Sequence, residues 1–151
     1  MPTGRPIDWK DSLPGPERSL GRLRFFVDGN NLMGSVPDGW WRNPAAASLR
    51  LERRLASYAE ATGNEVTVVF DGSGPPEGQN MGEAISVLWS AAASADDTLV
   101  RLVAEDRAPE SIVVVTSDRQ LARRVGEAGA GTEGAGTFRR RMQAAGAINT
   151  A

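Results

Sequence analysis

The sequence predicts an α/β protein of three layers, α/β/α, in which helices cover both faces of a mainly parallel central sheet. Four short runs of apolar, β-branched and aromatic residues indicate buried strands, at residues 23–27, 66–70, 85–89 and 112–116. These runs are nearly continuous, which is typical of strands that are buried on both faces. Amphipathic helical patterns alternate with the strands, and this order of elements favours a parallel sheet.

In the first half of the chain, Asp28-Gly29 closes the first strand, and the Asp-Gly-Asn-Asn stretch predicts a turn. A helix follows, because apolar residues recur at helical spacing along one face: Leu51, Leu55, Tyr58, Ala59 and Thr62. Gly63 lies just past this helix, at a position where glycine commonly ends one. Asp71-Gly72 closes the second strand, and the Gly and Pro residues between 73 and 82 predict a loop.

In the second half, Ser94 begins a helix after the third strand, and Ser117-Asp118 begins another after the fourth. The stretch from residue 129 is rich in glycine and contains no apolar run of strand quality. Beyond it, only Phe138 and Met142 offer apolar anchors. The sequence therefore predicts that this edge of the sheet is short, mobile or missing, and that a loose end follows Met142.

Length and composition are those of one globular domain, which we place at residues 22–143 of the 151. Residues 1–21 contain four of the nine prolines and no periodic apolar pattern. We predict that they form a flexible N-terminal tail, and that residues 144–151 form a flexible C-terminal tail.

The chain contains no cysteine and no histidine. Disulfides, thiol nucleophiles, thiolate zinc sites, imidazole bases and imidazole metal ligands are therefore excluded. Any metal bound by this protein has to be held by oxygen atoms. Oxygen-only ligands suit a hard cation such as Mg²⁺ or Mn²⁺.

The formal net charge of −2 gives no overall reason to expect nucleic acid as a partner. No apolar run approaches the roughly 18 residues of a membrane span, and the N-terminus lacks the apolar core of a signal peptide. The sequence therefore predicts a cytoplasmic protein without a membrane partner.

Acidic residues follow every predicted strand. They are Asp28, Asp71, Asp96, Asp97 and Asp118. In a parallel sheet, the carboxyl ends of the strands meet at one edge, and ligands bind there. Carboxylates gathered at one edge repel each other and usually hold a cation or have perturbed pKa values. Such a set suits phosphodiester hydrolysis, in which Mg²⁺ ions orient a water and offset charge on the phosphate.

Each of these acids also has a purely structural interpretation. Asp28 and Asp71 are in Asp-Gly turns, and Asp96 and Asp118 are at helix starts, where Asp is a common cap. For any one residue alone the structural interpretation is favoured by roughly two to one. The occurrence of all of them at one sheet edge favours a shared site, and Asp71 is its weakest member.

Four motifs in this order resemble the NYN domain family, specifically its YacP-like branch of PIN-like ribonucleases. The motifs are Phe-Val-Asp-Gly-Asn-Asn at 26–31, Val-Val-Phe-Asp-Gly at 68–72, Ser-Ala-Asp-Asp at 94–97 and Val-Val-Thr-Ser-Asp-Arg at 114–119. The resemblance covers about residues 23–142. It implies a PIN-like, Rossmann-like α/β/α fold, a divalent metal in an acidic pocket, and endoribonuclease activity or RNA binding.

The resemblance also implies roles for individual residues. The metal-binding set is Asp28, Asp96 and Asp118, with Asp97 beside it. The side-chain amide of Asn31 would position the metal-bound water or the phosphate. Together with the four acids, Asn31 completes the catalytic set that the resemblance implies. The resemblance implies substrate contacts for Asn31, Thr116, Ser117, Arg119 and Arg123. For Asp71 it implies a structural or supporting role.

Contact with RNA would depend on local arginines, since the net charge is negative. Clusters occur at 119–124, near the last acid, and at 139–141. Trp40 and Trp41 lie in the loop after Asn31 and either stack on unpaired bases or pack that loop onto the sheet. For the arginines, the alternative is a solvated helix face.

The leading hypothesis is a metal-dependent endoribonuclease that cuts single-stranded RNA with Mg²⁺ or Mn²⁺. The main alternative is a non-catalytic RNA- or ribosome-binding module that keeps the acidic pocket. A phosphatase with Asp28 as nucleophile is a weaker alternative, because Asn30 occupies the place where such enzymes need a second Asp. Pairing into a homodimer is left open by the sequence.

Overall fold

The computed structural model describes residues 23–36, 39–74 and 84–146. The tail predicted at 1–21, most of the tail predicted at 144–151 and most of the loop predicted at 73–82 lie outside these ranges. The strands are β1 (Arg24–Asp28), β2 (Glu65–Phe70), β3 (Ile85–Trp89), β4 (Ile112–Val115) and β5 (Gly131–Glu133). The α-helices are α1 (Gly29–Gly34), α2 (Pro44–Thr62), α3 (Ala95–Ala104), α4 (Arg119–Glu127) and α5 (Ala135–Ala144). Short 3₁₀ helices lie at Trp40–Arg42 and Pro109–Ser111.

The described strands form one sheet in the order β3-β2-β1-β4-β5, and every neighbouring pair is parallel. The prediction of a mainly parallel sheet is confirmed. The central strand is β1, where Val27 lies beside Val68 of β2 and Val115 of β4. The chain adds β2 and β3 on one side of β1 and then returns to add β4 and β5 on the other. The strand order therefore reverses between β1 and β4, and this is where ligands bind in open α/β sheets.

Successive side chains of β1 point to opposite faces and enter two separate cores, because the side-chain period of a strand is two. On one face, Phe25 packs with Tyr58 of α2 and Phe138 of α5. On the other face, Phe26 belongs to a cluster with Leu99 of α3 and further residues of α4. The three predicted layers are therefore present. In the part of the chain that the structure describes, no helix has the length and apolar character needed to cross a membrane.

The glycine-rich stretch after residue 129 contains a short strand, which is one of the outcomes that the sequence left open for this edge of the sheet. Residues Gly131–Glu133 form β5, which pairs with β4 and places Thr132 beside Val114. This strand is three residues long, and its first two residues are exposed. Its pairing therefore depends on backbone hydrogen bonds, which leave no apolar pattern in the sequence.

Two helices were missed. The predicted turn after Asp28 is the six-residue helix α1, and the anchors Phe138 and Met142 lie on α5, where the sequence predicted no helix. The first is too short to show a helical period. The second buries Ala135, Phe138 and Met142 on one face, spaced at i, i+3 and i+7, but several arginines obscure that pattern.

An ion pair joins the start of β1 to the segment before β4. Both Nη atoms of Arg24 donate to the Asp106 carboxylate, at 2.9 and 2.7 Å, and Nη2 also donates to the Ala108 carbonyl at 3.1 Å. The Arg24 guanidinium lowers the pKa of Asp106 to about 2 from the ordinary 3.8. The pair therefore contributes fully to the free energy of unfolding above about pH 4, and the contribution is lost as the pH falls towards 2.

We expect Asp106→Asn to lower the free energy of unfolding by about 1–2 kcal/mol at pH 6, after allowance for solvent screening. The difference from the unsubstituted protein should shrink below pH 4, because acid removes the same charge from Asp106. Urea unfolding at pH 2.5, 4 and 6 measures this difference. If the difference in free energy of unfolding between the two proteins is the same at all three pH values, Asp106 does not have the lowered pKa that its pairing with Arg24 predicts.

Candidate active site

The carboxyl ends of β1 and β4 meet at the point where the strand order reverses, and most of the predicted site residues lie there. Asp28 is the last residue of β1. Thr116, Ser117 and Asp118 follow β4 directly, and α3 begins one residue before Asp96. The fold therefore brings residues from distant parts of the chain to one edge of the sheet.

Asp28 is buried, with only 5% of its surface exposed. One carboxylate oxygen accepts a hydrogen bond from the Asn31 N–H at 3.3 Å, and the other accepts from the Thr116 hydroxyl at 3.0 Å. Burial raises the pKa of Asp28 to about 6, against these two hydrogen bonds, and the charges of Asp96 and Asp71 add to the rise. The carboxylate is thus fixed in orientation and costly to ionise, as in many catalytic acids.

Asp118 is connected to Asp28 through the Thr116 side chain. The Thr116 hydroxyl donates to Asp28 and accepts from the Asp118 N–H at 3.1 Å. Oδ1 of Asp118 caps α4 by accepting from the N–H groups of Gln120 and Leu121 at 2.9 and 3.2 Å. The structural interpretation of Asp118 as a cap is therefore correct for Oδ1. The described contacts of its side chain do not use Oδ2.

Asp96 and Asp97 are adjacent in sequence but have different environments. Burial raises the pKa of Asp96 above its ordinary value, and the charges of Asp118 and Asp71 add to this. Asp97 is exposed and forms an ion pair with Nη2 of Arg124 at 2.9 Å, which lowers its pKa. The helix is capped by Ser94, which accepts from the Asp97 N–H. We call Asp28, Asp96 and Asp118, at the carboxyl ends of β1 and β4, the acidic centre. Asp97 does not belong to it, because its side chain pairs with Arg124 of α4.

Two asparagines of α1 connect β1 to its neighbours. Oδ1 of Asn31 accepts from the Ser117 N–H at 2.8 Å, just beyond β4. Oδ1 of Asn30 accepts from the Asp71 N–H at 2.8 Å, just beyond β2. The sequence analysis assigned no site role to Asn30, although its place beside Asn31 in the first motif is a signal for one. Both side chains fix the positions of neighbouring strand ends.

Gly29 allows α1 to begin directly on the sheet. A Cβ atom built at this position would lie 2.6 Å from two ring carbons of Phe70 and 3.0 Å from a methyl group of Val68. Such distances are far inside van der Waals contact, so only glycine fits here without a shift of β2. Gly29 is therefore required by packing against Phe70 and Val68, in addition to following the end of β1.

Asp71 positions the helix that carries Asp96. Its Oδ1 accepts a hydrogen bond from the Ala95 N–H at 2.7 Å, at the first residue of α3. Its charge raises the pKa of both Asp28 and Asp96. Asp71 thus lies at the border of the acidic centre and holds the start of the helix that carries Asp96, and its supporting role in a site stays a prediction.

The predicted substrate contacts fall into two groups. Thr116 and Ser117 are used within the fold, since the Ser117 hydroxyl accepts from the Ala135 N–H at 2.9 Å and so holds the start of α5. Arg119 and Arg123 are exposed and separated by one turn of α4. Their positions leave them accessible to a ligand at this edge, and their contact with substrate stays a prediction.

The two tryptophans of the Trp40–Arg42 turn also differ. Trp40 is half-buried and packs against the core that contains Phe25, whereas 60% of the Trp41 surface is exposed. The guanidinium of Arg42 lies 5.6 Å from the centre of the Trp41 ring. Packing therefore applies to Trp40, while Trp41 is exposed and its stacking on unpaired bases stays a prediction.

The metal prediction can be tested against the arrangement of the acids. Across residues 23–36, 39–74 and 84–146, no three Asp or Glu side chains form a group that could hold a metal ion. Pairs of these acids do interact through their charges, among them Asp28 with Asp96 and Asp96 with Asp118. Mg²⁺ is usually bound by one or two carboxylates and completes its shell with waters and substrate phosphate. The donor chemistry fits that smaller set, and the four-carboxylate set stays a prediction.

Comparison with known proteins agrees with this geometry. The family model described as the YacP-like NYN domain matches residues 25–149. The crystal structure of Rae1 (YacP) from Bacillus subtilis is similar, with a TM-score of 0.69 and 27% identity over 81% of this chain and 74% of that chain. A point mutant of Rae1 gives a TM-score of 0.69 and 26% identity over 82% of this chain and 77% of that chain. No curated protein matches the sequence. The resemblance seen in the four motifs is thus confirmed, and the chain belongs to the YacP-like NYN domain family, with its PIN-like, nuclease-type fold.

Proposed function

We propose that this protein is a metal-dependent endoribonuclease, which hydrolyses phosphodiester bonds of RNA. The observation that carries the proposal is that Asp28, Asp96 and Asp118 come to one edge of the sheet, where the strand order reverses, and interact through their charges. The charge of Asp96 raises the pKa of Asp28, and the charge of Asp118 raises the pKa of Asp96. Carboxylates held together in this way favour binding of a cation.

Asp28 and Asp96 are the residues that would hold Mg²⁺ or Mn²⁺. When bound, such an ion lowers the pKa of a water and offsets the charge that develops on the phosphate. Asp28 is preorganised for this role because both of its carboxylate oxygens already accept hydrogen bonds, from Asn31 and Thr116. A ligand with a fixed orientation loses little entropy when the ion binds.

Asp118 is the residue that we assign to proton transfer. Its Oδ1 is used to cap α4, so the direction of the carboxylate is fixed by the helix. Its Oδ2 would accept a proton from the attacking water, for which a heavy-atom distance of about 2.6–3.2 Å is required. Arg119, the next residue and the first of α4, would contact the phosphate with its guanidinium.

The surface near α1 supports single-stranded RNA as the substrate. Trp41 is exposed, and the Arg42 guanidinium lies against its ring. Exposed aromatic rings beside arginine are a common stacking surface for unpaired bases. A duplex keeps its bases stacked inside, where Trp41 could not reach them.

The proposal is tested by incubating the protein with a mixed pool of structured and unstructured RNAs and Mn²⁺, with and without chelator. We expect cleavage of the unstructured RNAs, loss of cleavage with chelator, and loss of cleavage in Asp118→Asn. Glu60→Gln, an exposed substitution on α2, is the control for handling and contaminating nuclease. Cleavage that survives both chelator and Asp118→Asn contradicts the metal site.

A second candidate is an RNA- or ribosome-binding module without catalytic activity. It is favoured by one observation, that no three described acids form a ready-made metal group. Binding of the RNA pool without cleavage, under the conditions in which Mn²⁺ is saturating, would support this candidate over the nuclease.

A further inference from the structure

A cavity of about 760 Å³ lies beside the acidic centre, between the start of α2 and the ends of β2 and β3. Asn30 and Asp71 line it. The Asp71 N–H donates a hydrogen bond to the Asn30 side chain at the edge of the acidic centre. Its volume lies in the range of ligand pockets and exceeds what a single nucleobase needs. A nucleotide in this cavity would therefore have a phosphate group next to the proposed cleavage site.

One wall of the cavity is aromatic. The rings of Phe70 and Trp89 stack with their centres 4.9 Å apart, and both residues line the cavity. Gly74 also lines it and lies against the Trp89 ring, since a Cβ atom at Gly74 would come within 2.6 Å of that ring. A flat, aromatic ligand suits such a wall better than a sugar or an aliphatic chain.

The part of the cavity wall formed by α2 carries a buried acid. Glu52 lies on the face of α2 that lines the cavity, one turn after Ser48, and only 1% of its surface is exposed. Its Oε1 has no hydrogen-bond partner among the described residues. Burial raises the pKa of Glu52 above its ordinary value. A buried carboxylate oxygen without a donor is destabilising, so such an atom in a native fold calls for an explanation, and a ligand that donates to it is one.

We propose that this cavity binds a guanine base of the RNA, with the Glu52 carboxylate accepting hydrogen bonds from two N–H groups of the guanine edge. This inference deepens the proposed RNA substrate and rests on that proposal. An ionised carboxylate is acceptor-only and has two oxygens side by side. Guanine presents two adjacent donors, N1–H and the exocyclic amino group, which match those oxygens.

The other bases match Glu52 less well. Adenine and cytosine present one amino donor beside a ring nitrogen that is itself an acceptor, and this nitrogen would face a carboxylate oxygen. Uracil presents one N–H between two carbonyl acceptors. A bidentate pair of side chain and base discriminates against the wrong base by about 5- to 150-fold. The cavity would therefore select guanine at one position beside the cleaved bond.

The inference is tested by calorimetric titration of the full chain with nucleoside monophosphates in a buffer that contains chelator. We expect guanosine monophosphate to bind at least about tenfold tighter than the adenosine, cytidine and uridine monophosphates. Inosine monophosphate, which lacks the exocyclic amino group, should bind several-fold more weakly than guanosine monophosphate. This comparison requires no substitution in the protein.

Glu52→Gln is the matched variant, because it keeps the size of the side chain and removes one of the two acceptors. We expect the preference for guanosine over inosine monophosphate to disappear in Glu52→Gln and to be unchanged in Glu60→Gln. Thermal unfolding of both variants checks that each is folded. Equal affinity for all the nucleotides, no binding of guanosine monophosphate at millimolar concentration, or a preference that survives in folded Glu52→Gln overturns the inference.

These binding results are separate from the nuclease test, since chelator prevents metal-dependent cleavage throughout. A protein that cleaves RNA but binds all nucleotides equally keeps the proposed function and refutes the guanine site. A protein that prefers guanosine monophosphate but cleaves no RNA supports the guanine site and refutes the nuclease.

Discussion

Asp28→Asn is expected to abolish RNA cleavage and, at the same time, to raise the melting temperature of the protein. Cleavage should fall by roughly 100-fold or more, the range found when one group that stabilises a transition state is removed. Stability should rise because burial raises the pKa of Asp28 to about 6, so the charged form is costly in the fold. Asn is uncharged and can still accept from the Asn31 N–H, while the Thr116 hydroxyl can accept from its amide.

The effect of Asp28 on stability has a definite pH dependence. The folded pKa is about 6 and the ordinary value is 3.8, so the folded protein binds more protons between these two pH values. The free energy of unfolding therefore falls as the pH rises from about 4 to 6, by up to about 3 kcal/mol, and is constant above that. Asp28→Asn should lack this decrease.

Melting temperatures of both proteins, measured from pH 4 to pH 8 with chelator present, test this prediction. The gain from Asp28→Asn should be small near pH 4 and largest near pH 7. Glu60→Gln, which removes an exposed charge on α2, should give no such pH-dependent gain. An Asp28→Asn protein that is less stable than the unsubstituted one at pH 7 would show that the carboxylate contributes more through its hydrogen bonds than burial costs.

Asp71→Ala is expected to slow cleavage by roughly tenfold or more, although Asp71 need not touch the substrate. Its carboxylate accepts from the Ala95 N–H at 2.7 Å and so holds the start of α3, which carries Asp96. Loss of partners that orient a metal ligand typically costs about 10- to 100-fold in metal affinity or activity. The lost cap should also lower the free energy of unfolding by about 1 kcal/mol.

Ser94→Ala is the matched control, because Ser94 caps the same helix by accepting from the Asp97 N–H. It should cost similar stability, about 1 kcal/mol, with a much smaller loss of cleavage. Asp71→Asn separates position from charge, since its side-chain oxygen can still accept from Ala95. We expect Asp71→Asn to retain most of the cleavage rate and the Mn²⁺ dependence. Equal losses of rate in Asp71→Ala and Ser94→Ala would mean that helix stability alone matters.

The sequence was informative wherever burial dictates the residue type. β1, β2 and β4 are mostly buried and apolar, so they could be recognised within one or two residues. The edge strand β3 exposes Ser86 and Leu88 and was recognised from its β-branched and aromatic residues. Each acid that follows a strand is alone a common turn or cap residue, and the shared site could be recognised only because several of them fall at one edge of a parallel sheet. The approximate position of the acidic centre followed from these two facts.

The rest depends on contacts that leave no local pattern. Strand β5 pairs through its backbone and exposes its first two side chains, so nothing in its residues indicates a strand. The divergence of Asp96 and Asp97 depends on Arg124, which is distant in sequence. Glu52 was overlooked, although it lies three residues before Leu55 and seven before Ala59 on the buried face of α2. An acid at that position is the signal that could have found it.

The sheet order has a consequence for how the protein folds. The acidic centre requires β1 to pair with β4. The hydrogen bond from the Thr116 hydroxyl to the Asp28 carboxylate joins residues that are 88 positions apart in the sequence. Pairing of such distant segments is slow, because a long loop must close before the contact is gained. The pair of β1 and β2 is closer in sequence and is expected to form earlier. The acidic centre is therefore expected to be among the last features to assemble, and a chain in which β4 has not docked would have paired β1 and β2 but no acidic centre.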